Sequence, residues 1–284
     1  MAQGGNAPAA VTIFPAASDW DERFANSAYI PGSEALPALW AARAAAYRRD
    51  CAGFTGDIPY GPAPRQRLDL IRPEGPCHGL VVFVHGGFWL ECGKSDWTDL
   101  AEGARAAGWA VALPGYTLAP QAPVRAITQE IAMALRCAAA LIPGPIRLAG
   151  HSAGGHLVTR MICADSPLPA GVMARIGRVV SVSGLHDLRP LRLTKMNDHL
   201  RLTAQEAARE SPALHQPADG ARLTCWVGAD ERPEFLRQSR LMATIWADAA
   251  ATRLIEEQGH NHFSILDALK SPDSPLTREI TAPD

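Results

Sequence analysis

The sequence predicts an α/β fold with a mostly parallel central sheet and helices on both faces. From about residue 65 onward, short apolar segments rich in β-branched residues alternate with longer segments in which apolar residues recur at helical spacing. The segment LVVFV at 80–84 is apolar throughout, which is typical of a strand buried on both faces of a parallel sheet. A polar interval at 185–221 interrupts the alternation and predicts a small helical insertion over the carboxyl ends of the strands.

The elements follow from local patterns in chain order. Apolar residues at helical spacing predict a helix at 33–49. Apolar and polar residues then alternate up to a proline, which predicts a strand near a sheet edge at 65–73. The predicted helix at 95–107 ends at a glycine, and the predicted helix at 122–142 ends at a Pro-Gly pair. The predicted strands cover 65–73, 80–84, 109–114, 146–151, 177–184, 223–229 and 252–257, and the predicted helices cover 33–49, 95–107, 122–142, 153–164, 233–249 and 262–270.

Composition and charge predict one globular domain over 19–284, preceded by a poorly ordered Ala/Pro-rich segment at 1–18. Of the 284 residues, 47% are hydrophobic and 20% are charged, which suits a single sizeable core. The net charge of −2 gives no electrostatic reason to expect a nucleic acid or an anionic membrane as partner. No apolar segment approaches the ~20 residues of a membrane span.

The cysteines and the N-terminus predict a cytoplasmic protein that binds no metal. The six cysteines are scattered without a zinc-binding spacing. The first residues lack the basic and apolar pattern of a secretory signal. We therefore expect reduced thiols, no cofactor and a small-molecule substrate. A homodimer is compatible with the sequence.

The motif GHSAGGHL at 150–157 makes Ser152 a candidate nucleophile. A G-x-S-x-G motif carries weight only between a strand and a helix, where a tight turn raises the serine hydroxyl above the sheet. The strand IRLAGH precedes Ser152 and a helical segment follows it, so this context is met. The positions of Gly150 and Gly154 are expected to require a small residue because neighbouring backbone passes close to the turn. The alternative is that Ser152 is an ordinary helix N-cap.

A serine nucleophile needs a base, and the base needs an acid that orients it. On folds with this serine turn, the acid and then the histidine follow the serine along the chain. Asp230 follows the penultimate strand and is favoured as the acid over Asp187. His262 borders the last helix and is favoured as the base over His260, which is expected to be a neighbouring polar contact.

The segment HGGFW at 85–89 predicts an oxyanion site. It directly follows the buried strand, and its two glycines allow backbone N–H groups to point toward a reacting carbonyl. The predicted donors are the amides of Gly86, Gly87 and Ala153, with His85 fixing the loop by hydrogen bonding. Phe88 and Trp89 are candidates for the substrate wall, with simple core packing as the alternative.

Taken together, HGGFW, GHSAGGHL, SGLHDLRPL, ADERPEF and NHFSIL resemble the α/β-hydrolase group that includes the serine-type kynurenine formamidases, also called arylformamidases. YGPAPRQRLDLIRPEG and LTAQEAARESP extend the resemblance over roughly 19–270. The hormone-sensitive-lipase-like esterases share only HGG and GxSAG, and they usually carry a third glycine where this chain has Phe88. His186 stands where many relatives of the formamidase group have tyrosine, so it joins the candidate substrate-binding residues.

The resemblance implies a serine hydrolase with the triad Ser152, Asp230 and His262. Kynurenine formamidases cleave N-formyl-kynurenine to formate and kynurenine in tryptophan breakdown, without a metal. One rival hypothesis is a carboxylesterase for short acyl esters, which uses the same chemistry. Another is a non-catalytic binding protein on the same fold, and a metalloenzyme is disfavoured because His260 and His262 have no third ligand at a suitable spacing.

Overall fold

The computed structural model describes residues 20–283, and these residues form an eight-stranded sheet in the order β1-β2-β4-β3-β5-β6-β7-β8. The strands are β1 Phe54–Pro59, β2 Arg67–Ile71, β3 Leu80–Val84, β4 Ala110–Pro114, β5 Ile146–His151, β6 Ile176–Val182, β7 Arg222–Gly228 and β8 Ala251–Glu257. Strands β3 to β8 pair in parallel, while β2 is antiparallel to both of its neighbours. The predicted fold class is confirmed; the expectation for 1–18 falls outside the described residues.

Helices cover both faces of this sheet. They are α1 Trp20–Phe24, α2 Leu36–Asp50, α3 Glu102–Ala106, α4 Val124–Leu141, α5 Ala153–Arg160, α6 Ala170–Met173, α7 Asn197–Leu200, α8 Ala204–Arg209, α9 Pro233–Ile245 and α10 Pro275–Thr281. Strand β1 and helices α1, α6 and α10 were not predicted. The sequence did not predict β1 because its residues, FTGDIP, are at most half buried and show no alternation of apolar and polar side chains.

Two predicted helices are wrong in type over most of their length. The segment predicted as a helix at 95–107 consists of 3₁₀ turns at Lys94–Asp96 and Thr98–Ala101 followed by the short helix α3. The segment predicted at 262–270 is a 3₁₀ helix, Ser264–Lys270. Both segments are short and packed between larger elements, so tertiary contacts decide their conformation more than apolar spacing does.

The core lies on both sides of the sheet, as the apolar strand β3 predicted. Leu80, Val82 and Val84 face one buried cluster, while Val81 and Phe83 face the other. Because successive strand residues point to opposite faces, a strand with helices on both sides must be apolar at every position. β3 and its neighbour β5 are therefore rigid supports for the loops that follow them.

The first described segment folds over the carboxyl edge of the sheet. Residues between Asp21 and Trp40 lie beside the loops that follow β3 and β5. The insertion at 185–221 contains the short helices α7 and α8, and among its described residues only Met196 reaches the same place. Among residues 20–283, no helix is long and apolar enough to cross a membrane.

Candidate active site

Ser152 occupies a strained turn between β5 and α5. Its backbone has φ 55° and ψ −118°, a conformation that residues with a side chain rarely adopt. A Cβ on Gly150 would lie 2.2 Å from the carbonyl oxygen of Gly154, and a Cβ on Gly154 would lie 1.9 Å from that of Val84. The expected need for small residues on both sides of the serine is confirmed.

The Ser152 hydroxyl does not cap helix α5. Ser152 stands at the N-cap position, but its side chain makes no capping hydrogen bond there. The side chain instead contributes to the wall of a cavity, and only 2% of the residue is exposed. This geometry favours the nucleophile interpretation of GHSAGGHL over the N-cap alternative.

His262 lies in the same cavity wall and is oriented by Glu231. Its Nδ1 lies 2.7 Å from Oε2 of Glu231, and both side chains are buried. The other carboxylate oxygen of Glu231 accepts hydrogen bonds from the Ser183 hydroxyl and from the Gly228 backbone N–H at 2.9 Å. An imidazole that donates through Nδ1 keeps Nε2 as the atom able to take a proton.

The structure places Glu231, and not Asp230, against His262. Asp230 is exposed, and its backbone N–H donates to the carbonyl of His260. In the turn after β7, consecutive side chains point in different directions, so the buried position belongs to the next residue. A glutamate carboxylate can orient a histidine as well as an aspartate carboxylate can. Glu231, next to Asp230 in ADERPEF, was the signal in the sequence that could have identified this carboxylate.

Neighbouring rings hold His262 in place. The His151 ring lies 4.5 Å from it between centroids, and Phe235 packs on it at 4.2 Å. The Nε2 of His151 also hydrogen-bonds to the backbone carbonyl of His262 at 2.8 Å. His151 therefore fixes the backbone of His262.

The two rejected candidates have other partners. Asp187 is buried and accepts hydrogen bonds from the backbone and the guanidinium of Arg189, so it organises its own loop. His260 lies 3.3 Å from the Ser264 hydroxyl and 3.8 Å from the Glu257 carboxylate. Neither residue reaches the cavity wall.

The HGGFW loop is fixed beside Ser152. The Nδ1 of His85 hydrogen-bonds to the Gly86 carbonyl at 2.7 Å, and its ring stacks on Tyr116, whose hydroxyl donates to the carbonyl of His85. Gly87 has φ +99°, and a Cβ there would lie 2.4 Å from the Glu91 carbonyl oxygen. The expected role of His85 in fixing the loop is confirmed.

Of the predicted oxyanion donors, Gly87 lies in the cavity wall, whereas Gly86 packs behind the serine. A Cβ on Gly86 would lie 3.0 Å from the Cβ of Ser152. Ala153 directly follows Ser152 at the first turn of α5. Outside the helix and strand ladders of the described residues, no hydrogen bond is donated by the amides of Gly86, Gly87, Phe88 or Ala153. Because Phe88 also lies in the cavity wall, its amide is a further candidate donor.

Of the three candidate substrate-binding residues, one lies in the cavity wall and two are buried elsewhere. Phe88 lies in the cavity wall, as predicted. Trp89 does not: it is fully buried and packs edge-on against His156, with ring centroids 5.0 Å apart. His186 is also fully buried, and its Nε2 lies 3.3 Å from the Ser181 hydroxyl. The predictions for Trp89 and His186 are wrong because a position next to a motif does not fix which side of the backbone faces the substrate.

The cavity has a volume of about 730 Å³, within the range that small-molecule sites occupy. Its described lining combines Ser152, His262, Gly87 and Phe88 with the aromatic residues Phe24, Trp40, Trp97 and Phe263. The sequence reasoning missed the wall supplied by residues 21–40, because a helix with an aromatic stripe gives no sign of what its stripe contacts.

Burial keeps several other histidines neutral. It lowers the pKa of His85 to about 4, and the pKa values of His156 and His186 to about 3. Burial and the neighbouring His262 together hold the pKa of His151 well below its usual range. These imidazoles are uncharged hydrogen-bonding groups at neutral pH.

Known proteins resemble this chain over most of its length. A kynurenine formamidase from Danio rerio is 29% identical over 235 residues, which cover 78% of this chain and 79% of that protein. One from Drosophila melanogaster is 27% identical over 247 residues, covering 80% of each. A Silicibacter crystal structure described as a candidate thioesterase is 43% identical, with a TM-score of 0.90 over 93% of this chain and 99% of that one.

The family assignment rests on a match longer than half of the chain. A protein family described by the alpha/beta hydrolase fold matches residues 81–264. This range begins in β3 and includes the HGGFW loop, the Ser152 turn, Glu231 and His262. The chain belongs to the α/β-hydrolase fold family, and it is a hydrolase.

Proposed function

We propose that this hydrolase cleaves a small acyl amide through an acyl-enzyme on Ser152, with N-formyl-kynurenine as the substrate. One observation carries the proposal: the hydrogen bond of 2.7 Å between Glu231 and His262, in a cavity that also contains Ser152 on its strained turn. A nucleophile, a base and an orienting acid are the three groups that acyl transfer by serine needs.

In the proposed mechanism, Nε2 of His262 takes the proton of Ser152 as its oxygen attacks the substrate carbonyl. Glu231 holds the imidazole in the tautomer that leaves Nε2 free, and it stabilises the imidazolium that forms. The amides of Gly87, Phe88 and Ala153 stabilise the oxyanion; one such donor contributes about 3 kcal/mol. His262 then protonates the leaving amine, and water repeats the sequence to release formate and regenerate Ser152.

The formamide substrate is supported by the relatives and by the cavity. The curated relatives cited above are kynurenine formamidases. Phe88 stands where the esterases that share the HGG motif usually carry a third glycine, and it lies in the cavity wall together with Gly87. A small formyl group suits that part of the wall, and the aromatic walls suit a flat aryl leaving group.

A thioester or short-chain ester substrate is the second candidate. It is favoured by the Silicibacter structure, which is the more similar in sequence and is described as a candidate thioesterase. The triad chemistry is the same for amides, esters and thioesters, so only the leaving group and its contacts separate the candidates.

The deciding experiment compares kcat/KM of the purified protein on N-formyl-kynurenine, p-nitrophenyl acetate and a short acyl thioester. We expect N-formyl-kynurenine to have the highest value and Ser152→Ala to abolish all three activities. An ester or thioester that exceeds the formamide by orders of magnitude would overturn the formamide assignment. Failure of a fluorophosphonate to label Ser152 in the folded protein would overturn the serine mechanism.

A further inference from the structure

His151 presents an unpaired ring nitrogen to the cavity that contains Ser152 and His262. The residue lies in the cavity wall, and 3% of it is exposed. Its Nδ1 makes no hydrogen bond within residues 20–283, yet it is not one of the fully buried polar atoms in that range that lack a partner. Nδ1 is therefore accessible, and a molecule in the cavity can reach it.

The hydrogen bond at the other ring nitrogen determines what Nδ1 can do. Nε2 of His151 lies 2.8 Å from the backbone carbonyl oxygen of His262. A carbonyl oxygen only accepts, so Nε2 carries the ring proton and Nδ1 keeps its lone pair. Burial, together with the neighbouring His262, holds the pKa of His151 well below its usual range, so the ring is neutral at pH 7. His151 thus offers the cavity a hydrogen-bond acceptor.

This acceptor lies close to the groups that carry out the acyl transfer. A Cβ on Gly86 would lie 3.0 Å from Nδ1 of His151 and also 3.0 Å from the Cβ of Ser152, so both atoms flank the same glycine. The rings of His151 and His262 are 4.5 Å apart between centroids. A substrate bound to Ser152 and His262 is therefore within reach of Nδ1.

An acceptor at this place distinguishes an amide from an ester. When the tetrahedral intermediate of an amide breaks down, the lone pair of the leaving nitrogen takes a proton from His262, and its own N–H points away from His262. Where the bound substrate displaces water, an N–H without a partner is costly. The leaving oxygen of an ester carries no hydrogen, and its lone pairs repel the lone pair of an acceptor.

We propose that Nδ1 of His151 accepts a hydrogen bond from the N–H of the scissile amide and so makes the site selective for amides over esters. The inference rests on the function proposed above and assigns the residue that favours its amide substrates. The selectivity arises in acylation, because a formamide and a formate ester leave the same formyl group on Ser152. His151 binds the leaving group through Nδ1 while its Nε2 holds the backbone of His262.

Two chromogenic substrates that differ only in the leaving atom test the proposal: p-nitroformanilide and p-nitrophenyl formate. Each kcat/KM is divided by the rate constant of the substrate for hydrolysis by hydroxide, which corrects for intrinsic reactivity. His151→Gln keeps an N–H that can donate to the His262 carbonyl and removes the acceptor at Nδ1. We expect this variant to lower the amide value about tenfold or more and the ester value less than about threefold. The control His260→Gln changes a half-buried histidine outside the described cavity wall and should keep the wild-type amide-to-ester ratio.

An equal loss on both substrates in His151→Gln would overturn the proposal, because His151 would then act only by holding His262. N-methyl-p-nitroformanilide, which has no N–H, keeps the proposal testable with the wild type if the variant does not fold. Its corrected kcat/KM should be about tenfold or more below that of p-nitroformanilide, and equal values would overturn the proposal. In a folded His151→Gln variant, the value for the N-methyl amide should change no more than that for the ester.

The same substrates separate this proposal from the function proposed above. If p-nitroformanilide is not cleaved, its inhibition of the ester reaction makes the comparison: its inhibition constant should rise several-fold in His151→Gln, and an unchanged constant would overturn the proposal. A selective loss on p-nitroformanilide without any cleavage of N-formyl-kynurenine would refute that substrate while leaving the amide selectivity of His151 in place.

Discussion

Glu231 and His262 come from the loops after two adjacent parallel strands, β7 and β8, and meet with their side chains 2.7 Å apart. Parallel strands end at the same edge of a sheet, so two loops that are 31 residues apart in sequence become neighbours there. The pairing makes the carboxylate and the imidazole one unit, and the exposed Asp230 next to it is not part of that unit.

Exchanging the two adjacent acids for their amides should separate their roles. Glu231→Gln removes the carboxylate that fixes the His262 tautomer, so we expect kcat to fall roughly 10³- to 10⁴-fold, as for the loss of an orienting acid in a serine triad. Asp230→Asn is the matched control and should leave kcat within about twofold of wild type, since surface substitutions usually have small effects. The opposite pattern would restore Asp230 as the acid.

Ser183 should act as a positioning residue, because its hydroxyl donates to the Glu231 oxygen that does not face His262. A hydrogen bond to a charged group is worth about 1.5–3 kcal/mol, so Ser183→Ala should lower kcat roughly 10- to 150-fold with little change in KM. Ser239→Ala is the control, since Ser239 is also fully buried but its hydroxyl has no hydrogen-bond partner among residues 20–283. Equal effects of the two variants on kcat would show a merely structural role.

Phe88 and Trp89 are adjacent in sequence but should respond differently to truncation. Trp89→Ala empties a fully buried site and should lower the free energy of unfolding by about 3–5 kcal/mol. Phe88→Ala removes a wall of the cavity and should raise KM for aryl substrates several-fold, with a smaller loss of stability. Urea unfolding and steady-state kinetics measure the two effects; a Trp89 variant of normal stability with a raised KM would put Trp89 at the substrate.

Acid should destabilise the fold before the carboxylates titrate. The pKa of buried His85 is lowered to about 4 and those of His156 and His186 to about 3, whereas an unfolded histidine titrates near about 6.5. Below about pH 6.5 the unfolded chain therefore binds protons that the folded chain does not, and unfolding becomes more favourable. Each histidine contributes about 1.4 kcal/mol per pH unit until its folded pKa is reached.

Urea unfolding at pH 7, 6 and 5 tests this linkage. We expect the free energy of unfolding to fall by several kcal/mol over this range, and His186→Asn should make the dependence shallower by one proton. Equal stability of the wild type at pH 7 and pH 5 would show that these imidazoles are protonated in the folded chain.

Sequence alone determined the parallel sheet, the strand–Ser152–helix turn, the HGG loop and His262 as the candidate base. These features depend on local causes: an apolar strand, a turn that only glycine neighbours allow, and a residue type with few alternatives near the chain end. Ser152 and Gly87 could be identified because the close backbone approach at Gly150, Gly154 and Gly87 leaves a signature in composition.

Only the tertiary structure decided which acid meets His262, which aromatic residue faces the cavity, and what covers it. Asp230 and Glu231, like Phe88 and Trp89, are chemically similar neighbours, and the direction of each side chain is set by how the turn docks onto the sheet. Likewise, the wall from Asp21 to Trp40 is brought to Ser152 by long-range packing, which no local pattern of residues encodes.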